Sequence, residues 1–440
     1  MNLALAKSDT RTNGDAFAAV RDRLPGAGQV IEKRRQAFEA FERAGLPHRR
    51  IEDWKYTDLR ALMREVLPLA AAPDSSALAR AEVALKSQAI EGARKLVLVD
   101  GVFAPKLSDL AVPEQGLRIR TLREVCEAGD AELQTQLFAA GHANPMLALN
   151  SAMMTDGVVI DVAEGLVLTR PLLIVHIATP AKPAAMFTRS LLRLGKSAGA
   201  TLVESYIASD GVKLYQAHDS LLVSIGDDAR LDHVRLIEDS RDAFNICSSM
   251  VRLGAHARFN TFGMTSGAAV SRYQATIAFA GEGSEVTTNG VNLLNGRQHA
   301  DTTLFMDHAV PNCVSREIFR SVVDDRGHSV FQGRIIVQPH AQKTDAKMMT
   351  RALLLSDEAE ADNKPELEIF ADDVTCGHGA TTGALDESLL FYLRARGLPE
   401  KEAEALLIQA FVGEAIESIV NDDLRELAIS AAQRWLAARG

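Results

Sequence analysis

Cys376 and His378 stand one glycine apart in the run Asp372-Asp373-Val374-Thr375-Cys376-Gly377-His378-Gly379. A thiolate and an imidazole are the donor types that suit iron, zinc and the iron of a cluster. On extended backbone, side chains two residues apart project from the same face, so a strand here presents both donors together. A second pair is His308 and Cys313, in His308-Ala-Val-Pro-Asn-Cys313-Val-Ser315, preceded by His299 and Asp301. The plainer reading of this second stretch is a turn with a satisfied histidine and a buried thiol. His328 joins it only if folding brings it there.

Other chemistries lack their patterns. Gly195-Lys196-Ser197 tempts a phosphate-loop reading, but the motif needs glycine at 190 and the chain has serine. The preceding Leu191–Leu194 is also strand-like, and no helix clearly follows. The chain has no GxGxxG, HExxH or GxSxG. Asp and Glu scattered between residues 150 and 337 would suit a carbohydrate-active β-helix, a lyase or hydrolase, yet nothing marks one pair as acid and base.

The totals set bounds. At 440 residues the chain exceeds one ordinary core. Its formal charge of −10 argues against nucleic acid, whose phosphates demand a basic face, and against a polybasic membrane contact. Cysteines at 126, 247, 313 and 376 show no CxxC spacing and are too few to staple a chain of this size. No stretch approaches a membrane span and the first residues carry no signal-peptide pattern. A cytoplasmic location is the expectation.

The elements that must position the donors fall into three regions. Residues 1–145 read as mixed α and β. The spacing predicts helix over about 15–45, stopped by Gly45-Leu46-Pro47, strands at Lys95–Asp100 and Leu117–Leu122, and helix over 122–142 closed by Gly141. From 146 to 383 short apolar runs alternate with Gly, Asp and Ser, with no helix long enough for a crossover, which excludes βαβ units. A loose repeat runs through it. Gly199-Ala200, Asp228-Ala229, His256-Ala257 and Gly283-Ser284 each pair a turn residue with a small one before an alternating segment. The small residues at 200, 229, 257 and 284 are 29, 28 and 27 apart. A period of this length made only of strands predicts a β-solenoid, whose ends the flanking regions would cap. Residues 384–440 return to helix: Asp386–Gly397, a second helix opened by Leu398-Pro399-Glu400, and a third over about Asp423–Leu436.

The stretch 327–383 resembles the SufB/SufD family of scaffold subunits in SUF iron–sulfur assembly. The residues that carry the resemblance are Val330-Phe331-x-Gly333, Gln342-Lys343-Thr344-Asp345-Ala346, Leu353-Leu354-Leu355-Ser356, Lys364-Pro365-x-Leu367-Glu368-Ile369 and Ala371-Asp372-Asp373-Val374-x-Cys376-x-His378-Gly379-Ala380-Thr381. Glu52-x-Trp54-Lys55-Tyr56-Thr57 is similar to the family's N-terminal signature, though the plainer reading is a packing tryptophan with charged flanks. The resemblance implies a mainly β protein with a right-handed parallel β-helix core, not an enzyme. It implies pairing with SufB through that β-helix and docking of the SufC ATPase on the C-terminal helices. In isolation the same free edge allows a homodimer. It also assigns His378 first, and Cys376 second, to iron or a nascent cluster at the SufB interface. Two protein donors cannot complete a cluster site, so no intrinsic cofactor is expected. The cluster or iron would be transient and shared. In the sister subunit SufB a cysteine earlier in this terminal region serves cluster assembly. Here the span from Asp345 to Ser356 has Lys347, Met348 and Met349 but no cysteine, which favours the SufD branch.

Overall fold

The computed structural model describes residues 17–88, 90–110, 114–138 and 144–439. Its core is a parallel β-solenoid of about eight turns, whose chain visits two sheets alternately. One sheet stacks Arg94–Val99, Leu172–Ala178, Gly199–Ala208, Arg230–Ile237, Arg258–Thr265, Glu285–Leu294, Val314–Val323, Asp345–Leu354 and Thr375–Gly383, each parallel to the next. The facing sheet stacks Val158–Val162, Ala184–Leu194, Tyr215–Ile225, Phe244–Leu253, Val270–Phe279, His299–His308, His328–Val337 and Glu360–Ile369 in the same sense. The step between coils varies: Phe244 aligns with Val270, 26 residues on, and His328 with Glu360, 32 residues on.

A recurring corner explains the repeat. Its copies read Gly195-Lys-Ser197-Ala198, Gly226-Asp-Asp228-Ala229, Gly254-Ala-His256-Ala257, Gly281-Glu-Gly283-Ser284, Val310-Pro-Asn312-Cys313 and Ala341-Gln-Lys343-Thr344. The third residue is left-handed in every copy, with φ of 56° at Ser197, 58° at Asp228, 52° at His256, 70° at Gly283, 64° at Asn312 and 63° at Lys343. That is the conformation a tight turn requires at this position. The fourth residue points into the solenoid and is buried in all six, so it must be small. The ladder pairs Gly199 with Arg230, which puts the first copy at Ser197-Ala198 rather than Gly199-Ala200. Two further copies, Asn312-Cys313 and Lys343-Thr344, escape the sequence pattern because neither contains Gly or Ala.

Inside, alternate residues of both sheets form one apolar core that includes Leu202, Val223, Phe279, Phe319, Ile335 and Met348. Phe319 and Phe331 meet across the sheets with ring centroids 4.6 Å apart. Glu317 occupies an inward position between Ser315 and Phe319. It is buried, neither carboxyl oxygen has a hydrogen-bond partner among the described residues, and burial pushes its pKa up to about 8.

The flanks cover faces more than ends. The helix Gln29–Ala44, preceded by a 3-10 turn at Arg21–Arg23, packs Phe38 and Phe41 with Leu149 of the helix Pro145–Met153 against Phe187 and Ile246 on the outside of one sheet. Pro25 and Gly26, the latter at φ 102°, break the single helix expected from residue 15. Likewise the helical region after 122 is two helices, Leu122–Ala128 and Ala131–Phe138, divided by Gly129 at φ 73°. Gly141, expected to close it, lies outside the described residues. At the N-terminal end of the solenoid, Val102–Phe103 and Leu117–Thr121 add antiparallel strands and close the sheets. The C-terminal helices Glu400–Ile416 and Asp422–Arg439 do not close the other end. They lay Ile408, Val412 and Trp435 against Val291, Leu293 and Val322 on the outer face of the ten-stranded sheet. No described helix is long and apolar enough to cross a membrane.

Two measurements check this packing. A Cβ on Gly281 would sit 2.0 Å from the Ala255 nitrogen and 2.3 Å from the Gly254 carbonyl carbon, both backbone. Gly281→Ala is therefore expected to lower unfolding stability by about 1–3 kcal/mol in urea titrations. For Glu317 the sign follows from its raised pKa: the carboxyl is protonated in both states at low pH, and as pH rises the unfolded chain ionises first. Wild-type stability should fall relative to Glu317→Gln between about pH 4.5 and pH 8. A difference between the two proteins that does not change with pH would show the interior acid is not held neutral.

Candidate functional site

The last strand, Thr375–Gly383, pairs on one side only, with Asp345–Leu354. Its register sets Cys376 beside Ala346 and His378 beside Met348. Ala346 and Met348 are buried members of the interior core, so alternation points Cys376 and His378 along the same inward face. No further coil of the described residues covers them. Cys376 is half-buried against the core, and His378 is exposed. Burial pushes the Cys376 thiol up, the carboxylate of Asp345 adds to this, and a hydrogen bond from the Ala346 backbone opposes it. Among the described residues no third His, Cys, Asp or Glu joins these two into a set of ligand atoms within 4.8 Å. Asp372 and Asp373 stay exposed at the preceding corner, where Asp373 pairs with Lys343.

Beneath the pair the ladder runs His378, Met348, Glu317, Thr288. A Cβ on Gly333 of the facing sheet would lie 2.3 Å from the Met348 sulfur, so the missing side chain there makes room for the thioether. Met348 is thus the inward residue directly under His378, on the segment where the sequence offers no cysteine. Glu317 escaped the sequence reading. Its only signal is a charged residue at an inward position of an alternating strand.

The other sequence candidates are dispersed. Cys313 is the fifth small residue of the corner column, fully buried, with Sγ 3.6 Å and 3.5 Å from the carbonyls of Gly281 and Pro311. Burial raises its pKa. His308 faces the interior, stacks on Phe279 with centroids 4.2 Å apart, and meets the Ser315 hydroxyl at 3.1 Å. Burial lowers its pKa to about 4, so it is neutral at pH 7. His299 lies on the outer face of the nine-stranded sheet. Folding does bring His328 to a candidate histidine, but to His299: their rings meet edge-on at 4.7 Å, and His328 Nε2 contacts Asp362 at 2.8 Å. Burial first, and then the charge of His328, hold the His299 pKa down at about 4.

His299 belongs to a clamp that seats the segment Glu52–Thr57 on the solenoid. The Thr57 hydroxyl contacts His299 Nε2 at 2.9 Å and donates to Asp301. Buried Arg272 pairs with Asp301, donates to the Asp53 carbonyl at 2.7 Å, and lies 3.9 Å from the centre of the Trp54 ring. A guanidinium on an indole face is a favourable cation–π contact. Lys364, next to Pro365 on the outer strand of the last coil, pairs with Glu52. The Trp54 motif therefore does structural work and ties the N-terminal region to the same coil that carries Cys376 and His378.

Comparison with known proteins agrees with this arrangement. The family model for the SufBD core domain of SUF system FeS cluster assembly matches residues 176–411, and that for the SufBD protein N-terminal region matches residues 23–174. The chain is 30% identical over 394 residues to iron-sulfur cluster assembly protein SufD of Escherichia coli (strain K12), covering 89% of each chain. It is 30% identical over 402 residues to the iron-sulfur cluster assembly SufBD family protein slr0076 of Synechocystis sp., covering 89% of this chain and 87% of that one. Over 230 residues it is 31% identical to protein ABCI7, chloroplastic, of Arabidopsis thaliana, covering 52% of this chain and 48% of that one. A parallel solenoid whose last coil ends in an uncovered Cys-x-His strand, matched from residue 23 to 411 by these two models, belongs to the SufBD family of SUF iron–sulfur cluster assembly proteins.

Proposed function

We propose that this chain is a SufD-type scaffold that pairs with SufB through the last coil of its solenoid and lends Cys376 and His378 to iron acquisition and nascent cluster assembly at the shared interface. The observation that carries the reading is the end of the solenoid. Glu360–Ile369 and Thr375–Gly383 each terminate their sheet, which among the described residues leaves a row of unpaired backbone groups beside two donors without further ligands. A strand edge of this kind is satisfied by a neighbouring strand, and a partner seated there is in position to complete the coordination. Ile369 and Phe370, 41% and 59% exposed at the same end, supply apolar area for that contact. The iron or cluster is cargo, and the chain binds and positions it without making or breaking a covalent bond of its own.

The C-terminal helices serve as the seat for SufC. The helix Glu387–Ala395 leaves Leu389, Phe391 and Tyr392 exposed, with Leu406 nearby on the next helix. Below them a groove of about 410 Å³ is lined by Arg351, Leu385, Leu407 and Phe411. These helices also pack on the sheet that ends in Thr375–Gly383, with Arg320 of that sheet paired to Glu414. Movement of an ATPase bound here is thereby coupled to the strand that holds His378. The components are expected in the cytoplasm. The carbohydrate-active alternative rested on the solenoid and its scattered carboxylates, and the family match favours the scaffold reading over it.

Two experiments test the proposal. Co-expressed with SufB and SufC, the chain should purify as a stable complex. In that complex His378→Ala should lower the yield of assembled cluster about tenfold or more, the scale on which metal sites lose affinity when a supporting group goes, while the complex stays intact. Cys376→Ser should give a smaller loss. Full cluster yield in an intact His378→Ala complex, or no complex from the wild-type chains, refutes the assignment. Phe391→Asp should release SufC and leave SufB bound. Retention of both partners would move the SufC seat elsewhere.

A further inference from the structure

The solenoid interior holds another set of donors, near its opposite end. His176, Glu204 and Asp219 all sit at inward positions: Ile174, Leu202 and Leu221, two residues away on the same strands, lie in the apolar core. His176 and Glu204 come from adjacent strands of one sheet, and Asp219 from the sheet that faces it. Ligand atoms of the three lie within 4.8 Å of one another. This is the one such group among the described residues.

The hydrogen bonds around the group leave one acceptor, on His176, and the Nε and Nη1 donors of Arg235 unmatched among the described residues. The Thr188 hydroxyl gives its single proton to Asp219 Oδ1. Its 3.5 Å contact with His176 Nδ1 then takes the Nδ1–H as donor, and in that tautomer Nε2 is an acceptor. That nitrogen is sealed from solvent and has no hydrogen-bond partner among the described residues. The Tyr206 hydroxyl donates to Asp219 Oδ2 at 2.8 Å, so its 3.4 Å approach to Glu204 Oε1 has no second proton behind it. Glu204 Oε2 accepts the Nε2–H of His233 at 3.0 Å, and His233 Nδ1 in turn accepts from Thr261 at 2.9 Å. Arg235 lies near Glu204 and 3.4 Å from the centre of the Tyr273 ring, and Arg189 lies near Asp219. An orphaned acceptor buried in a protein calls for a donor or a cation. Beside it is a hollow of about 20 Å³ lined by His176, Thr188, Tyr206 and Asp219, though not by Glu204, room for one ion or one water.

We propose that His176, Glu204 and Asp219 form a buried site for a divalent first-row transition metal that ties the two sheets together in the early coils of the solenoid. One imidazole and two carboxylates suit Fe²⁺, Mn²⁺ or Zn²⁺. Thr188, Tyr206 and His233 hold the carboxylates in place from behind, as outer-shell hydrogen bonds do in metal sites. The site has no thiolate, lies away from the Cys376–His378 end, and takes a resident ion rather than cargo.

The test uses the full chain refolded with and without Fe²⁺, Mn²⁺ or Zn²⁺, desalted and analysed for metal, with Co²⁺ absorption as a second probe of the ligand set. The expected result is one retained equivalent, a raised thermal midpoint in the metal-loaded protein, and loss of at least nine-tenths of that metal in His176→Gln and in Glu204→Gln. The double variant Cys376→Ser with His378→Ala should keep the equivalent, which separates this site from the proposed interfacial one. Metal retained in Glu204→Gln, or lost with the Cys376 and His378 variant, overturns the proposal. So does a wild-type chain that holds no metal and melts unchanged after refolding with a chelator, because the hollow then holds only water or a proton. That last comparison needs no variant and decides the matter even if the substituted chains do not fold.

Discussion

In a parallel ladder every strand bonds to a neighbour on each side, and a solenoid meets that demand by laying one coil on the last. The demand is never met at the final coil. In this protein the N-terminal end is closed by antiparallel strands at Val102–Phe103 and Leu117–Thr121, while Glu360–Ile369 and Thr375–Gly383 keep a free edge. The inward faces of those strands are uncovered for the same reason. Ala346 and Met348 are buried because a coil sits above them. Cys376 and His378, in the same columns, are accessible because none does. One unmet backbone requirement thus produces both the docking edge and the reachable donors.

The interior is divided. Along one side of the strands the inward residues are Leu, Val, Ile and Phe. In the early coils they include His176, Glu204, Tyr206, Asp219 and Arg235; Tyr206 bonds across the sheets to Asp219 and His176 to Thr188, while Glu204 accepts from His233 within one sheet. Buried polar groups cost stability unless partnered, so these residues restrict how the first coils may pack. Glu317 is a different case. It has no partner, stands two coils below His378, and is kept neutral by its apolar surroundings. An acid held this way destabilises the fold at neutral pH.

The remaining elements fasten the flanks to this rod. Trp54 is held by Arg272 and the buried Asp301, and Glu52 reaches Lys364 on the terminal coil. The C-terminal helices pack along a face and leave the end open. Both flanks therefore touch the coils nearest the free edge without occupying it.

Much of this was legible in the chain. Strand-only patterning and a period near 28 specify a solenoid because each coil must return to the same corner, and Asp228-Ala229 and His256-Ala257 mark that corner with a turn residue and a small one. The Cys-x-His spacing predicts a shared face because strand side chains alternate. Three things needed the tertiary structure. Asn312-Cys313 and Lys343-Thr344 become corner copies only through their φ and their burial, which make Cys313, a buried thiol on the plainer sequence reading, a small packing residue of the corner column. His328 joins His299 rather than Cys313, because ladder register, not distance along the chain, decides which side chains meet. His176, Glu204 and Asp219 are separated by 28 and 15 residues in the sequence, on strands that read as apolar runs, and only the closing of two sheets around a common interior brings them within reach of one ion.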